Sequence, residues 1–101
     1  GAKIMEEGAP GSSMYVVLTG RVSIAIGRKV VEKLGAGGVF GEMALVDNSP
    51  RTATAVARID CELLAVDRES LITMVKTDPA VGMQMMRAVA GRIRYMNGLL
   101  A

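Results

Sequence analysis

The chain is 101 residues long, half of them apolar, with 12 basic and 10 acidic side chains and a net charge of +2. That length fits one domain with a real though small core. The balanced charge excludes a polybasic nucleic-acid arm or an anionic-membrane binder, so any anion must be held by a local arrangement.

The first two thirds read as short strands broken by glycine. Lys3 to Met5 is the first, ended by the turn signal Gly8-Ala9-Pro10-Gly11. Met14 to Thr19 follows, and Gly20 breaks it. Val22, Ile24 and Ile26 alternate with Ser23 and Ala25, the pattern of a half-buried strand. Gly27-Arg28 is a tight turn before a strand from Val30 to Leu34, and Gly35-Ala36-Gly37-Gly38 is a glycine-rich loop. Arg51 to Ala57 and Glu62 to Val66 complete the strands. Strands this short, at roughly 8–12-residue spacing, predict an antiparallel sandwich, barrel or jelly roll.

Beyond Val66 glycine thins out and helix formers take over. Asp67 is suited to cap a helix running to about Lys76, with Glu69 adding negative charge to its first turn. Asp78 is placed to cap a second helix that has Pro79 at its first position. Val81, Met85, Val89, Ile93, Met96 and Leu100 form one stripe along that helix. The stripe either packs on the sheet or also serves a partner helix or lid. Leu99, Leu100 and Ala101 end on an apolar note, so a partner or a continuation is expected.

Other residue types narrow the chemistry. A single cysteine, Cys61, rules out an intramolecular disulfide and reads as a small core residue. Histidine is absent, which removes the commonest general base and metal ligand and with them a metal-dependent jelly-roll enzyme. Tyr15, Phe40 and Tyr95 are too few for a base-stacking platform. No apolar run has transmembrane length and no signal-peptide pattern opens the chain. The expectation is a cytoplasmic, non-catalytic domain without metal or cofactor.

The informative stretch runs from Phe40 to Thr54, FGEMALVDNSPRTAT. Glu42-Met43-Ala44-Leu45 fits one helical turn, with Gly41 at its start letting backbone approach a ligand. Arg51 offers a planar, permanently charged fork suited to phosphate, and Pro50 fixes the backbone entering it. A carboxylate beside a phosphate site makes sense if Glu42 accepts a sugar hydroxyl of the same ligand. By residue type alone, such a pair is more often a structural salt bridge, and a lone glycine-rich loop more often a turn.

The same stretch resembles the phosphate-binding cassette of cyclic-nucleotide-binding domains. That family includes the bacterial catabolite activator protein, protein kinase A regulatory subunits and cyclic-nucleotide-gated channels. Residues Glu7 to Val17 resemble the family's early hairpin, Leu18 to Val22 its next turn, and Gly35, Gly37, Phe40, Gly41 and Glu42 the loop leading into the cassette. The resemblance covers nearly the whole chain. It implies a mainly β fold, an eight-stranded antiparallel jelly roll (double-stranded β-helix) over about 1–66, followed by two α-helices over about 67–101. The whole is then a single domain spanning 1–101.

The resemblance also implies roles. Glu42 would bind the ribose 2′-hydroxyl and Arg51 the cyclic phosphate. Backbone amides of Gly41, Glu42 and Ala53 would reach ribose or phosphate, and Met43 and Ala44 complete the cassette turn. Thr52 would offer its hydroxyl to the phosphate or to a guanine amino group. The last helix would cover the base near Arg94, Tyr95 and Asn97. The ligand would be cyclic AMP, or else cyclic GMP. The implied partners are that nucleotide, an effector domain and a second copy through the C-terminal helix, with no direct nucleic-acid or membrane contact. Three departures stand out. The chain starts late, as an N-terminally truncated domain would. Ser12 and Gly38 stand where relatives often carry Asp, and the last helix ends early. An interaction module of the same fold that has lost or changed its ligand is the alternative, and the retained Glu42 and Arg51 argue against it.

Overall fold

A computed structural model describes residues 1–46 and 49–100, apart from the side chains of Met96, Asn97, Leu99 and Leu100. The described residues form seven strands: β1 (Lys3–Met5), β2 (Ser13–Thr19), β3 (Val22–Ile26), β4 (Lys29–Leu34), β5 (Val39–Phe40), β6 (Thr54–Ala57) and β7 (Glu62–Asp67). A four-residue 3-10 turn, Glu42–Leu45, lies between β5 and β6. The helices α1 (Arg68–Thr77) and α2 (Pro79–Leu100) close the chain. The strands pair antiparallel into a four-stranded sheet, β1-β6-β3-β4, and a three-stranded sheet, β5-β2-β7.

Strand β2 explains how the layers stack. Its run Met14-Tyr15-Val16-Val17 lacks polar alternation because both faces are covered there, whereas Leu18 beyond it is exposed. Tyr15 and Val17 point between the sheets, into a core with Val22, Ile24, Phe40, Ala53 and Ala55. Met14 and Val16 point the other way, into a second core with Val39, Leu45, Val66 and Val89 of α2. The neighbours follow the same period: Tyr15 pairs with Phe40 and Val16 with Val39. The three-stranded sheet is therefore a middle layer, with the jelly-roll interior on one side and the helices on the other.

Helix starts are where the sequence places them. The Asp67 carboxylate accepts from the Ser70 amide at 2.7 Å, and Asp78 from the Val81 amide at 3.3 Å. The stripe on α2 differs in one member. Met85, Val89 and Ile93 enter the second core, whereas Val81 is exposed. Gly82 takes the buried place instead, because α2 crosses α1 there so closely that a Cβ would lie 2.6 Å from Val75 Cα. Met96 and Leu100 fall outside the described side chains.

The strand expected from Arg51 begins only at Thr54. The backbone of Arg51 is committed elsewhere: its amide donates to Ala9 O at 2.9 Å and its carbonyl accepts from Gly8 N at 2.8 Å. The glycine-rich loop is a turn that extends the β2 ladder. Gly37 N donates to Val17 O, and Val17 N to Gly38 O, each at 2.8 Å. Gly37 has a φ of +86°. None of the helices formed by the described residues is long and apolar enough to cross a membrane.

Candidate functional site

Strand β5 delivers the chain into the jelly-roll interior, and Gly41 turns it. Its φ of +76° and ψ of 16° are left-handed values that a side chain resists. A Cβ there would also stand 2.9 Å from Arg51 Nη1. The 3-10 turn that follows buries Glu42 at one end and Leu45 at the other. Glu42 is 3% exposed and Arg51 8%. They face one narrow cleft of about 390 Å³, its open mouth included. Met43, Ala44, Thr52, Ala53 and Arg92 also line it.

Of the residues expected at the site, Gly41, Glu42, Met43, Ala44, Arg51, Thr52 and Ala53 all line this cleft. Asn97 lies outside the described side chains. Arg94 and Tyr95 are exposed and do not line it. Among the described side chains of α2, the one that lines the cleft is Arg92, whose guanidinium lies 5.2 Å from the Tyr95 ring.

No ion pair joins Glu42 to Arg51, so the structural salt bridge that residue types allowed does not form. Arg51 is positioned by other means. Its Nη1 donates to Gly41 O at 3.1 Å, and its guanidinium carbon lies 5.8 Å over the Tyr15 ring. Gly11 presses against the same guanidinium, so any Cβ there would collide with it. The Nε of Arg51 is buried without a hydrogen-bond partner. A buried donor left unpaired is costly, and this one is covered by Gly11.

Burial drives the Glu42 carboxyl above its ordinary range. Hydrogen bonding to its own amide, then the positive charge of Arg92, opposes that rise. Glu32 reinforces it, and Arg51 opposes it more weakly. Glu42 is thus a desolvated acceptor with its charge only partly compensated, suited to hydroxyl donors. No cluster of three metal-ligating side chains occurs among the described residues.

Sequence reasoning missed three participants. Gly11 and Tyr15 cradle Arg51 from the early hairpin, and only the turn signal hinted at the former. Arg92 pairs with Glu32 of β4 through two hydrogen bonds of 2.5 and 2.6 Å. Nothing local in the sequence links two residues sixty positions apart.

The cyclic nucleotide-binding domain family model matches residues 1–78. The chain belongs to that family. Among curated relatives, the CRP-like cAMP-activated global transcriptional regulator of Mycobacterium tuberculosis is 30% identical over 108 residues, covering 100% of this chain and 47% of that protein. A cAMP-dependent protein kinase regulatory subunit of Eremothecium gossypii is 44% identical over 68 residues, 67% of this chain and 15% of that one. The solved structure of Thermus thermophilus catabolite activator protein aligns over 99% of this chain and 49% of that one, with 33% identity and a TM-score of 0.80. The chain spans less than half the length of these curated relatives. They are regulators by name, and the mainly β fold with two C-terminal helices is the one this cyclic-nucleotide-binding family shares.

Proposed function

We propose that this chain is a non-catalytic sensor domain that binds a cyclic nucleotide, cyclic AMP in preference to cyclic GMP. The observation that carries the reading is the convergence of Glu42 and Arg51 on one cleft without pairing to each other. Each keeps capacity for a ligand: Arg51 a guanidinium in no ion pair with the described carboxylates, Glu42 a desolvated carboxylate. A cyclic phosphate answers the first and a ribose 2′-hydroxyl the second. Gly41, Met43, Ala44 and Ala53 shape the floor, and Thr52 contributes a hydroxyl at the rim.

Residues 1–101 act as one domain, a jelly roll over about 1–66 and helices over about 67–101. In the M. tuberculosis and E. gossypii relatives, a transcriptional regulator and a kinase regulatory subunit, the matched part belongs to a longer regulator. By analogy, this domain reports to an effector domain through α2, which also offers a homodimer surface, and works in the cytoplasm without touching nucleic acid or membrane itself.

Calorimetric titration with cyclic AMP, cyclic GMP and 2′-deoxy cyclic AMP tests the reading. Cyclic AMP should bind tightest, and the deoxy analogue should lose affinity because a buried acceptor loses its donor. Equal affinity for ribo and deoxy ligands would remove Glu42 from the ribose. Failure of every nucleotide to bind would leave an interaction module that has lost its ligand.

A further inference from the structure

Glu32 is out of place by the logic of its strand. It pairs in register with Ile24, a residue of the cleft wall and of the inter-sheet core. Directly opposed residues of an antiparallel pair share a face. Glu32 therefore sits on the inner, apolar face of β4, beside Leu34, which packs on the same core. The ladder shifts here: Ile24 pairs with Glu32 but Ala25 with Val30, so Val31 is the extra residue of a bulge. Bulges re-aim neighbouring side chains and cluster beside functional sites.

An inward carboxylate needs a partner, and Arg92 of α2 provides a two-pronged one. The pair is well shielded, its side chains 13% and 14% exposed. Arg92 nevertheless keeps its Nε buried and unpartnered, in the wall of the cleft. Arginine carries donors only, so what it lacks is an acceptor. Glu32 uses two of its nitrogens and leaves the third unused.

We propose that Glu32 is a built-in competitor of the ligand, whose pair with Arg92 holds α2 against the cleft in the ligand-free chain. A nucleotide entering the cleft offers acceptor atoms on its base and ribose; because the one unused nitrogen of Arg92 is buried, they engage Arg92 only by drawing its fork away from Glu32. Glu32 thereby sets affinity without touching the ligand, because only the released state is fully competent and its scarcity weakens apparent binding. The inference rests on the nucleotide reading above.

The test is Glu32→Gln, which keeps the shape and removes the charge, with Glu32→Leu as a second variant matched to the apolar face. Each is titrated with cyclic AMP, and amide hydrogen exchange is followed over residues 85–95 without nucleotide. The expected result is cyclic AMP binding about five- to thirtyfold tighter than in the unaltered chain, together with faster exchange in α2. Unchanged or weaker binding overturns the proposal, since the pair is then only a structural fastening. Unchanged exchange also overturns it, since α2 was never held there. Absence of binding by the unaltered chain would fall on the nucleotide reading, and on the competition with it.

Discussion

Arg51→Ala separates a ligand-reading arginine from a structural one. The Arg51 side chain donates to Gly41 O and lies over Tyr15. Losing the hydrogen bond costs about 1 kcal/mol and losing the ring contact about 0.5–1 kcal/mol. Relief of the buried, unpartnered Nε offsets part of that. The variant should fold, with its melting temperature lowered by at most about 6–16 °C at roughly 4–8 °C per kcal/mol. Binding should suffer far more. Removing one partner of a desolvated charge pair costs about 2–5 kcal/mol, or about thirtyfold to several-thousandfold in Kd. Arg51→Lys keeps the charge but not the fork, so it should fall between the two. The assay is calorimetric titration with cyclic AMP below the melting transition, with circular dichroism melts as the folding control. A folded alanine variant whose Kd stays within about threefold of the unaltered chain would refute the phosphate role.

Glu42→Gln should raise the melting temperature of the ligand-free domain near neutral pH while weakening nucleotide binding. The folded pKa of Glu42 lies above its usual 4.5, so ionisation opposes folding at neutral pH. That penalty fades as pH falls through the folded pKa towards 4.5, and melts taken across this interval should show the two proteins converging; a constant gap would disprove the linkage. Gly82→Ala should lower the melting temperature although alanine is the better helix former by about 1 kcal/mol. Overpacking against Val75 costs about 1–3 kcal/mol, so a stabilised variant would contradict the close crossing of α1 and α2.

Local chemistry made much of this molecule readable in advance. Asp67, Asp78 and Pro79 mark helix starts because capping involves residues only three apart. The cassette was legible only through its resemblance to a family motif, which a single stretch could carry because the cleft is built largely from contiguous residues. What escaped depends on distant partners. The late start of β6 follows from hydrogen bonds between Arg51 and the loop at Gly8 and Ala9. Two-residue β5 is too short for any period to show. Gly82 replaces Val81 in the interior because another helix lies against it, which the stripe on α2 cannot register. Glu32 lands inside because the bulge at Val31 shifts the alternation of β4, and its partner is sixty residues away.

The turn Glu42–Leu45 belongs to the cleft at one end and to the helix layer at the other. Glu42 lines the cleft, whereas Leu45 packs in the second core with Val89 of α2. The Leu45 carbonyl also accepts from Arg68 Nε at 3.0 Å, which ties the same turn to the first residue of α1. Glu42 and Leu45 are the two ends of one four-residue turn, so a displacement of the turn as a whole moves both. Such a displacement therefore acts on both helices, directly through Arg68 and through Val89. The close approach of Gly82 to Val75 then favours movement of α1 and α2 as one body, since sliding one past the other would drive backbone into a side chain. Glu32 and Arg92 add a second tie between the jelly roll and α2. Loss of either tie loosens the helix pair, and loss of both frees it. A ligand that spans from Arg51 to Arg92 reaches both at once, and one confined to the Arg51 end reaches one.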